Sequence, residues 1–313
     1  MADQRKSLGD LTVSPLCLGG NVFGWTADEA ESFAVLDAYT AAGGNFVDTA
    51  DAYSAWVPGH VGGESETVLG NWMAARGNRA DVVIATKVGA HPDYKGLSAK
   101  TVKEAAEQSL RRLRTDYVDL YYTHYDDPGL PVEEFLTALD ALVREGKVRQ
   151  IAASNITPER LEEALLCSER EGLARYVALQ PHYNLVSRHT YEGPLAEVAA
   201  RHGLGAVPYF ALAAGFLTGK YRPGTTVDSA RAGRAAEYQG TERGERVLAA
   251  LDRVATARGA EPAAVALAWL AAQPTVAAPL ASARTVQQLG TLLAGAGLRL
   301  DEHELAALTT ASA

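Results

Sequence analysis

The stretch NFVDTADAYS, residues 45–54, ends a short apolar run on a carboxylate, Asp48, and places Tyr53 five residues later. The run has the length and character of a buried strand, whereas the residues after Asp48 show no apolar periodicity. A carboxylate at the end of a buried strand is costly unless it has a partner. A partner for Asp48 is therefore sought at the ends of other strands of the chain.

Seven further apolar runs occur along the chain, separated by amphipathic helical stretches. The eight predicted strands cover residues 15–20, 45–50, 82–88, 117–124, 148–154, 176–184, 205–212 and 275–282. The predicted helices lie near 27–42, 64–74, 98–113, 132–145, 157–171, 189–202, 243–258 and 285–294. Strands that alternate with helices form parallel sheets with right-handed crossovers. Eight such units predict an α/β fold in which residues 1–313 form a single (β/α)8 TIM barrel domain.

An open doubly wound sheet is the alternative fold, and it usually carries GxGxxG after its first strand. The segment GGNVFG, residues 19–24, does not have that spacing, so the barrel is favoured. The N-terminal segment 4–14, QRKSLGDLTVS, alternates in polarity and predicts a hairpin that closes the bottom of the barrel. The polar, glycine-containing stretch 221–242 predicts a flexible flap loop over a ligand.

Composition narrows the class of protein. The formal net charge is −9 and the chain has no basic stripe, so neither nucleic acid nor an anionic membrane is an expected partner. The N-terminus has no apolar signal-peptide core and no run of about 18 apolar residues occurs, which predicts a cytoplasmic protein. Cys17 and Cys167 are expected to be reduced thiols. The histidines lack metal-ligand spacing, so no metal site is expected.

Ionisable residues end three consecutive predicted strands. Lys87 ends the third and His124 the fourth, as Asp48 ends the second, and Tyr53 follows in the next loop. Each alone could be a capping, packing or solvent-reaching residue. Because the carboxyl ends of barrel strands share one mouth, we expect all four to meet there. Four such groups are costly to bury without a role, so they are the predicted catalytic residues.

These four residue types suit acid–base chemistry at a carbonyl. A tyrosine has an ordinary pKa of about 10, and a nearby lysine ammonium should lower the pKa of Tyr53. Asp48 should keep Lys87 charged and in place. A neutral His124 could orient a carbonyl oxygen by hydrogen bonding, and Tyr53 could protonate that oxygen as general acid.

The motifs FVDTADAYS, IATKVG, DLYYTH, IAASN, LQPHYNLVSR and GFLTGKY resemble those of the aldo-keto reductase superfamily, in the same order and over nearly the whole chain. The resemblance implies a (β/α)8 barrel that binds NADP(H) without a Rossmann domain. It implies hydride transfer between NADPH and an aldehyde or ketone, so the expected partner is a small-molecule carbonyl or alcohol. The family's catalytic tetrad matches Asp48, Tyr53, Lys87 and His124.

The resemblance also implies cofactor contacts. Ser154, Asn155 and Gln180 match positions that bind the nicotinamide carboxamide, and Tyr209 matches the aromatic that stacks on the nicotinamide ring. The segment ALAAGFLTGKY matches the pyrophosphate-spanning loop, with contact positions at Leu212, Gly215, Leu217 and Lys220.

The last strand and helix match the family's binding site for the adenosine 2′-phosphate, which implies that Ser282, Arg284 and Gln288 bind this phosphate. An arginine fork suits a phosphomonoester and favours NADP over NAD. The chain departs from the family pattern at Phe210, where a serine is common, and at Leu292, where an adenine-contacting asparagine is common.

Three aromatic residues, Trp25, Trp56 and Tyr125, lie in loops after the first, second and fourth strands. They predict apolar pocket walls for a sugar, quinone or aromatic aldehyde, with ordinary loop packing as the alternative. Two other functions are open. Lys87 could form a Schiff base in a lyase, or the chain could be a non-catalytic NADPH-binding regulatory subunit, since potassium-channel β subunits share the reductase fold. The oligomeric state is not predicted.

Overall fold

The computed structural model describes residues 4–222, 224–225, 227 and 232–313. Its strands are β1 Lys6–Leu8, β2 Leu11–Val13, β3 Cys17–Gly19, β4 Phe46–Asp48, β5 Val83–Val88, β6 Ala90–His91, β7 Tyr94–Lys95, β8 Val118–Thr123, β9 Val148–Ser154, β10 Tyr176–Gln180, β11 Gly205–Ala206 and β12 Leu280–Ala281. Its helices are α1 Glu29–Ala41, α2 Glu64–Arg76, α3 Ala99–Leu113, α4 Val132–Arg144, α5 Pro158–Glu171, α6 Pro194–Arg201, α7 Ala232–Ala235, α8 Glu242–Arg258, α9 Pro262–Ala271, α10 Val286–Gly297 and α11 Glu302–Ala311.

Eight strands form one parallel sheet in the order β11-β10-β9-β8-β5-β4-β3-β12. The two edges of this sheet also meet. Ala206 and Val276 form a parallel bridge, and the Leu280 N–H donates to the Pro208 carbonyl at 3.0 Å. The sheet therefore closes, and the predicted (β/α)8 barrel and its eight strands are confirmed.

Side chains alternate along each barrel strand between two apolar cores. Phe46, Ala85 and Tyr122 belong to the small core inside the barrel, whereas their neighbours Val47 and Ile84 belong to the larger core between the sheet and the helices. This alternation is the two-residue period of a strand. It fixes which residues of each strand can reach the interior of the mouth.

The N-terminal hairpin closes the bottom of the barrel, as predicted. Strands β1 and β2 pair antiparallel, and Leu8, Leu11 and Val13 join the inner core. The fit at the bottom is tight, because a Cβ at Gly205 would lie 2.2 Å from Leu8 Cδ2. A side chain at the start of β11 would therefore have to displace the Leu8 side chain.

Three helix ends carry residue types that suit capping positions. Ser98 caps α3 by accepting the Thr101 N–H at 3.2 Å, and Thr157 caps α5 by accepting the Arg160 N–H at 3.3 Å. Gly146, just after α4, has a φ of 73°, a conformation that favours glycine after a helix.

Three helices, α7, α9 and α11, and a hairpin were not expected from the sequence. Helix α9 is almost entirely buried, so it shows no amphipathic period, and α11 is short. Strands β6 and β7 form a two-residue hairpin after β5. In the predicted flap 221–242, residues 223, 226 and 228–231 lie outside the described residues, and the described part includes α7. Among the described residues, no helix combines the length and apolar character needed to cross a bilayer.

The packing of α2 on α3 gives a test of the fold. A Cβ at Gly70 in α2 would lie 2.1 Å from the Arg112 carbonyl oxygen, whereas a Cβ at Gly290 in α10 would meet nothing within 4 Å. Gly70→Ala should lower the free energy of unfolding by about 1–3 kcal/mol, since backbone must move. Gly290→Ala should raise it by about 0.5–1 kcal/mol through helix propensity. Urea unfolding of both variants checks this, and equal effects would contradict the α2–α3 contact.

Candidate active site

The alternation of the strands directs polar side chains into the mouth. Asp48 follows the inner residue Phe46 by two positions, and Lys87 follows Ala85 in the same way. His124 follows Tyr122 likewise, just beyond the end of β8. Each side chain therefore continues an inward-facing row one step past the apolar core, at the carboxyl end of its strand.

Lys87 is the centre of the cluster, and its side chain is fully buried. Its Nζ donates to Asp48 Oδ2 at 2.6 Å, to the Thr49 carbonyl at 2.7 Å and to the Tyr53 hydroxyl at 2.8 Å. An ammonium has three donors, so all of them are used. The burial of this charge is compensated by one carboxylate and two neutral oxygens.

Tyr53 reaches Lys87 because the loop after β4 lies along β5. The Thr49 N–H donates to the Ala85 carbonyl at 2.8 Å, and the Asp51 N–H points to the Lys87 carbonyl at 3.4 Å. The Tyr53 hydroxyl then accepts from Lys87 and donates to Asp48 Oδ2 at 3.1 Å. Asp48 Oδ2 thus accepts from both neighbours.

The prediction that Lys87 lowers the pKa of Tyr53 is wrong. Burial raises the pKa of Tyr53 well above its ordinary value. The Asp48 carboxylate raises this pKa further, through its negative charge and by accepting a hydrogen bond from the phenol. The positive charge of Lys87 alone would lower the pKa of Tyr53. Because Asp48 contacts both groups, it offsets that effect, and Tyr53 keeps its proton at neutral pH.

His124 is partly buried beside Tyr53, with ring centroids 6.1 Å apart in an edge-to-face arrangement. Burial and the nearby Lys87 ammonium lower the pKa of His124 to about 3. The imidazole is therefore neutral at physiological pH, as expected, and carries one N–H donor.

A chain of hydrogen bonds links the predicted cofactor residues to this cluster. Gln180 Nε2 donates to Asp48 Oδ1 at 2.8 Å, and Ser154 Oγ donates to the Gln180 carbonyl at 2.8 Å. Asn155, with a φ of 47°, donates to Ser154 Oγ and accepts from the Tyr209 hydroxyl at 2.8 Å. The structure therefore brings these four residues together around Asp48.

The predicted pyrophosphate segment has an unusual backbone. Ala213, Ala214 and Gly215 have φ values of 48°, 55° and 97°, so the chain turns sharply there. The Nζ of Lys220 would lie 3.8 Å from a Cβ at Gly215. The Leu217 side chain is fully buried in the outer core, so only its backbone can reach a ligand, and Leu212 packs partly on the same core.

The predicted 2′-phosphate residues lie at the end of β12 and the start of α10. Ser282 Oγ donates to Asn21 Oδ1 at 2.6 Å. Gln288 Oε1 accepts the backbone N–H of Arg284 at 3.0 Å, and both residues are exposed. Among the ion pairs of the described residues, none involves the Arg284 guanidinium. Leu292 is buried, so it packs inward.

The three predicted pocket aromatics lie next to Tyr53 and His124. Trp56 makes edge-to-face contacts with Trp25 at 5.5 Å and with Tyr53 at 6.1 Å between ring centroids. Tyr125 stacks on His124 at 5.0 Å. Trp56 and Tyr125 are 52% and 53% exposed, so they present large apolar surfaces at the mouth.

Two further side chains at the mouth were not predicted. Asn21 is bonded to Ser282, and the His182 ring stacks on Tyr209 at 5.4 Å and 17°. Both continue the inward-facing rows, since Asn21 follows Gly19 by two positions and His182 follows Gln180 by two. Extending the two-residue period one step past each strand would have identified them.

No group of three potential metal-binding side chains occurs within the described residues. Cys17 and Cys167 are both free and buried. The mouth of the closed parallel barrel thus holds ionisable and hydrogen-bonding side chains from several strands.

Comparison with known proteins agrees with this description. The profile of the Aldo/keto reductase family matches residues 15–313, and the chain belongs to that family. The resemblance found in the sequence is confirmed. Members of the family generally use a nicotinamide cofactor and act on small-molecule carbonyl compounds.

Individual relatives align over most of their length. Protein tas of Escherichia coli (strain K12) is 36% identical over 98% of this chain and 96% of its own. The uncharacterized oxidoreductase YrpG of Bacillus subtilis (strain 168) is 34% identical over 94% and 91%. A probable voltage-gated potassium channel subunit beta of Oryza sativa subsp. japonica is 34% identical over 91% and 89%. Relatives of this chain thus carry names of both enzymes and channel subunits.

The Lys87–Asp48 pair should dominate local stability. Lys87→Met leaves Asp48 buried without its cation and should lower the free energy of unfolding by about 3–5 kcal/mol. The double variant Asp48→Asn/Lys87→Met should lose less than the sum of the single variants. Urea unfolding measures these losses. The exposed pair Lys100–Glu104, 3.9 Å apart, is the control, and Lys100→Met should cost under about 1 kcal/mol. Strict additivity at Asp48 and Lys87 would contradict their coupling.

Proposed function

We propose that this protein is an NADPH-dependent reductase of aldehydes or ketones in which Tyr53 is the general acid. The observation that carries the proposal is the buried Lys87 ammonium, 2.8 Å from the Tyr53 hydroxyl and 2.6 Å from Asp48 at the barrel mouth. A phenol that keeps its proton at neutral pH is in the state that a proton donor requires.

The proposed roles of the side chains follow from this geometry. When bound, a reduced nicotinamide supplies hydride to the carbonyl carbon. The carbonyl oxygen then gains negative charge, and Tyr53 donates the proton from its hydroxyl. Because that hydroxyl donates to Asp48 at rest, it turns from Asp48 to the substrate oxygen first. Lys87 goes on donating to the phenolic oxygen and stabilises the phenolate, while the neutral His124 orients the substrate oxygen.

The residues around the mouth fit a nicotinamide dinucleotide. Ser154, Asn155 and Gln180 supply amide and hydroxyl groups next to Asp48, and Tyr209 supplies an aromatic ring whose hydroxyl is fixed by Asn155. The pyrophosphate is assigned to a set of residues with a sharply turned backbone and a lysine: Leu212, Gly215, Leu217 and Lys220. Backbone N–H groups in such turns suit phosphate oxygens.

The preference for NADPH over NADH is assigned to the start of α10. An exposed guanidinium at Arg284 offers a planar fork for a phosphomonoester, with Ser282 and Gln288 beside it. The aromatic walls formed by Trp25, Trp56 and Tyr125 favour a substrate with a planar or apolar body, such as a quinone or aromatic aldehyde.

The two alternative functions are less well supported. A Schiff-base lyase needs a neutral Lys87 with a free lone pair, whereas the three donations of Lys87 suit an ammonium. A regulatory subunit is suggested by relatives that are named as probable channel subunits. Multiple-turnover oxidation of NADPH with any aldehyde or ketone, in an assay with purified protein, separates the reductase from both.

Tyr53→Phe should lower kcat by about 10²–10⁴-fold, because it removes the general acid and leaves the ring in place. NADPH binding, measured by quenching of protein fluorescence, should be nearly unchanged. Tyr117→Phe is the matched control, since Tyr117 lies just before β8 at the other end of the barrel. A Tyr53→Phe variant with wild-type turnover would end the assignment.

Arg284→Ala should weaken NADPH binding by about tenfold or more while changing NADH binding little, since a charge-assisted hydrogen bond contributes roughly 1.5–3 kcal/mol. Fluorescence titration with both nucleotides measures the ratio. Arg299→Ala, an exposed arginine beyond the other end of α10, is the control. Equal loss for NADPH and NADH would refute the 2′-phosphate role.

A further inference from the structure

A second buried polar cluster lies under the loop that joins Asp48 to Tyr53. We call it the Asp51 cluster, and its members are Asp51, Glu66, His91, Arg112 and Tyr121. Asp51 and Glu66 are fully buried, and His91 is 4% exposed. The proposed reduction uses none of these side chains, so their burial needs another explanation.

The cluster contains two buried carboxyl groups and one arginine. Arg112 Nε donates to Glu66 Oε2 at 2.7 Å, and Thr86 Oγ1 donates to the other oxygen of Glu66. Glu66 is therefore satisfied as a carboxylate. Neither oxygen of Asp51 has a hydrogen-bond partner among the described residues.

Arg112 Nη2 also lacks a hydrogen-bond partner among the described residues, but the ion pair of Arg112 is with Glu66 and not with Asp51. The other groups of the cluster do not balance a charge on Asp51 either. Lys87, which approaches from β5, is paired with Asp48. His91 Nδ1 accepts the Asp93 N–H at 3.1 Å, so that nitrogen carries no proton, and burial lowers the pKa of His91. Tyr121, which approaches from β8, is a neutral phenol, and burial raises its pKa further. Burial, and after it the charge of Glu66, raise the pKa of Asp51 well above its ordinary range. The charge of Arg112, the nearby Ala52 N–H and the charge of Lys87 oppose this rise less strongly.

The loop that carries Tyr53 and Trp56 returns directly over this cluster. A Cβ at Gly62 would lie 2.7 Å from His91 Nε2 and 3.1 Å from the Asp51 carbonyl oxygen. A Cβ at Gly63 would lie 2.3 Å from Arg112 Nε. The two glycines thus allow the loop to close on the buried groups.

We propose that Asp51 is a protonated positioning residue, whose neutral carboxyl group lets residues 49–63 pack on the Asp51 cluster and so places Tyr53 beside Lys87. An ionised Asp51 would put an unpaired charge under the loop. Hydration of that charge would lift the loop, and both Tyr53 and Trp56 would lose their positions. The link to turnover rests on the proposed reductase function, whereas the protonation of Asp51 does not.

The sign of the pH dependence follows from the protonated state. The folded chain binds the Asp51 proton more tightly than the unfolded chain does. Asp51 therefore lowers the free energy of unfolding as pH rises from the ordinary aspartate range towards its raised pKa. An asparagine at this position is an uncharged isostere of the acid and removes that loss.

The test compares Asp51→Asn with Asp93→Asn, an exposed aspartate in the adjoining hairpin. Isotope-edited infrared spectra of protein labelled at aspartate are recorded near pH 7. Asp51→Asn should remove a carboxylic-acid band, whereas Asp93→Asn should remove a carboxylate band. The melting temperature of Asp51→Asn relative to wild type should also rise with pH, by about 2 °C for each tenfold difference in proton affinity between the folded and the unfolded chain.

Loss of a carboxylate band in Asp51→Asn, or a lower melting temperature at every pH, would overturn the proposal. If Asp51→Asn does not fold, the labelled wild type decides, because absence of any aspartic-acid band near pH 7 would also overturn it. The pH dependence of kcat is a further test if the enzyme is active. Asp51→Asn should shift the alkaline fall in kcat to higher pH. If the acid band is present but wild type never oxidises NADPH, the reductase function fails and the protonated Asp51 stands.

Discussion

The burial of the Lys87 ammonium is the constraint on which the mouth of the barrel depends. A charge with no exposed surface is tolerated only if its donors are all used. Asp48, the Thr49 carbonyl and the Tyr53 hydroxyl meet this requirement together. Asp48 ends β4, and Thr49 and Tyr53 belong to the loop that follows it. The neighbouring parallel register of β4 and β5, with Asp48 opposite Ala85, is therefore as necessary to the site as the side chains themselves.

The same two-residue period that builds the core also builds the site. Inside the barrel, apolar residues fill the rows from the hairpin upward. The last inward positions of β4, β5, β9 and β10 are polar, and they are occupied by Asp48, Lys87, Ser154 and Gln180. The change happens within one step, from Ala85 to Lys87 and from Ala178 to Gln180. Because the apolar layer below excludes water, charges above it interact more strongly than they would at an open surface. The closed bottom of the barrel thus contributes to the electrostatics at the top.

Much of this arrangement could be predicted from the sequence, because strand period and strand ends are local properties. The eight strands, the hairpin and the meeting of Asp48, Lys87 and His124 all follow from them. Helix α9 was missed since a helix buried on every side has no amphipathic period. The pKa direction of Tyr53 was missed for a different reason. It depends on Asp48 Oδ2 lying within reach of both Tyr53 and Lys87, which is a distance between two elements rather than a property of either.

Asp48 and Asp51 show how far residue type alone can mislead. They stand three positions apart, Asp48 at the end of β4 and Asp51 in the loop after it, and both are fully buried. Asp48 faces the inside of the barrel, where Lys87 supplies a cation and Gln180 a further donor. Asp51 lies against Glu66, which already holds Arg112. The loop that carries Tyr53 therefore requires a charged carboxylate at one position and a neutral acid at the other. The geometry of the loop therefore has a limit at alkaline pH, because ionisation of Asp51 would release the loop.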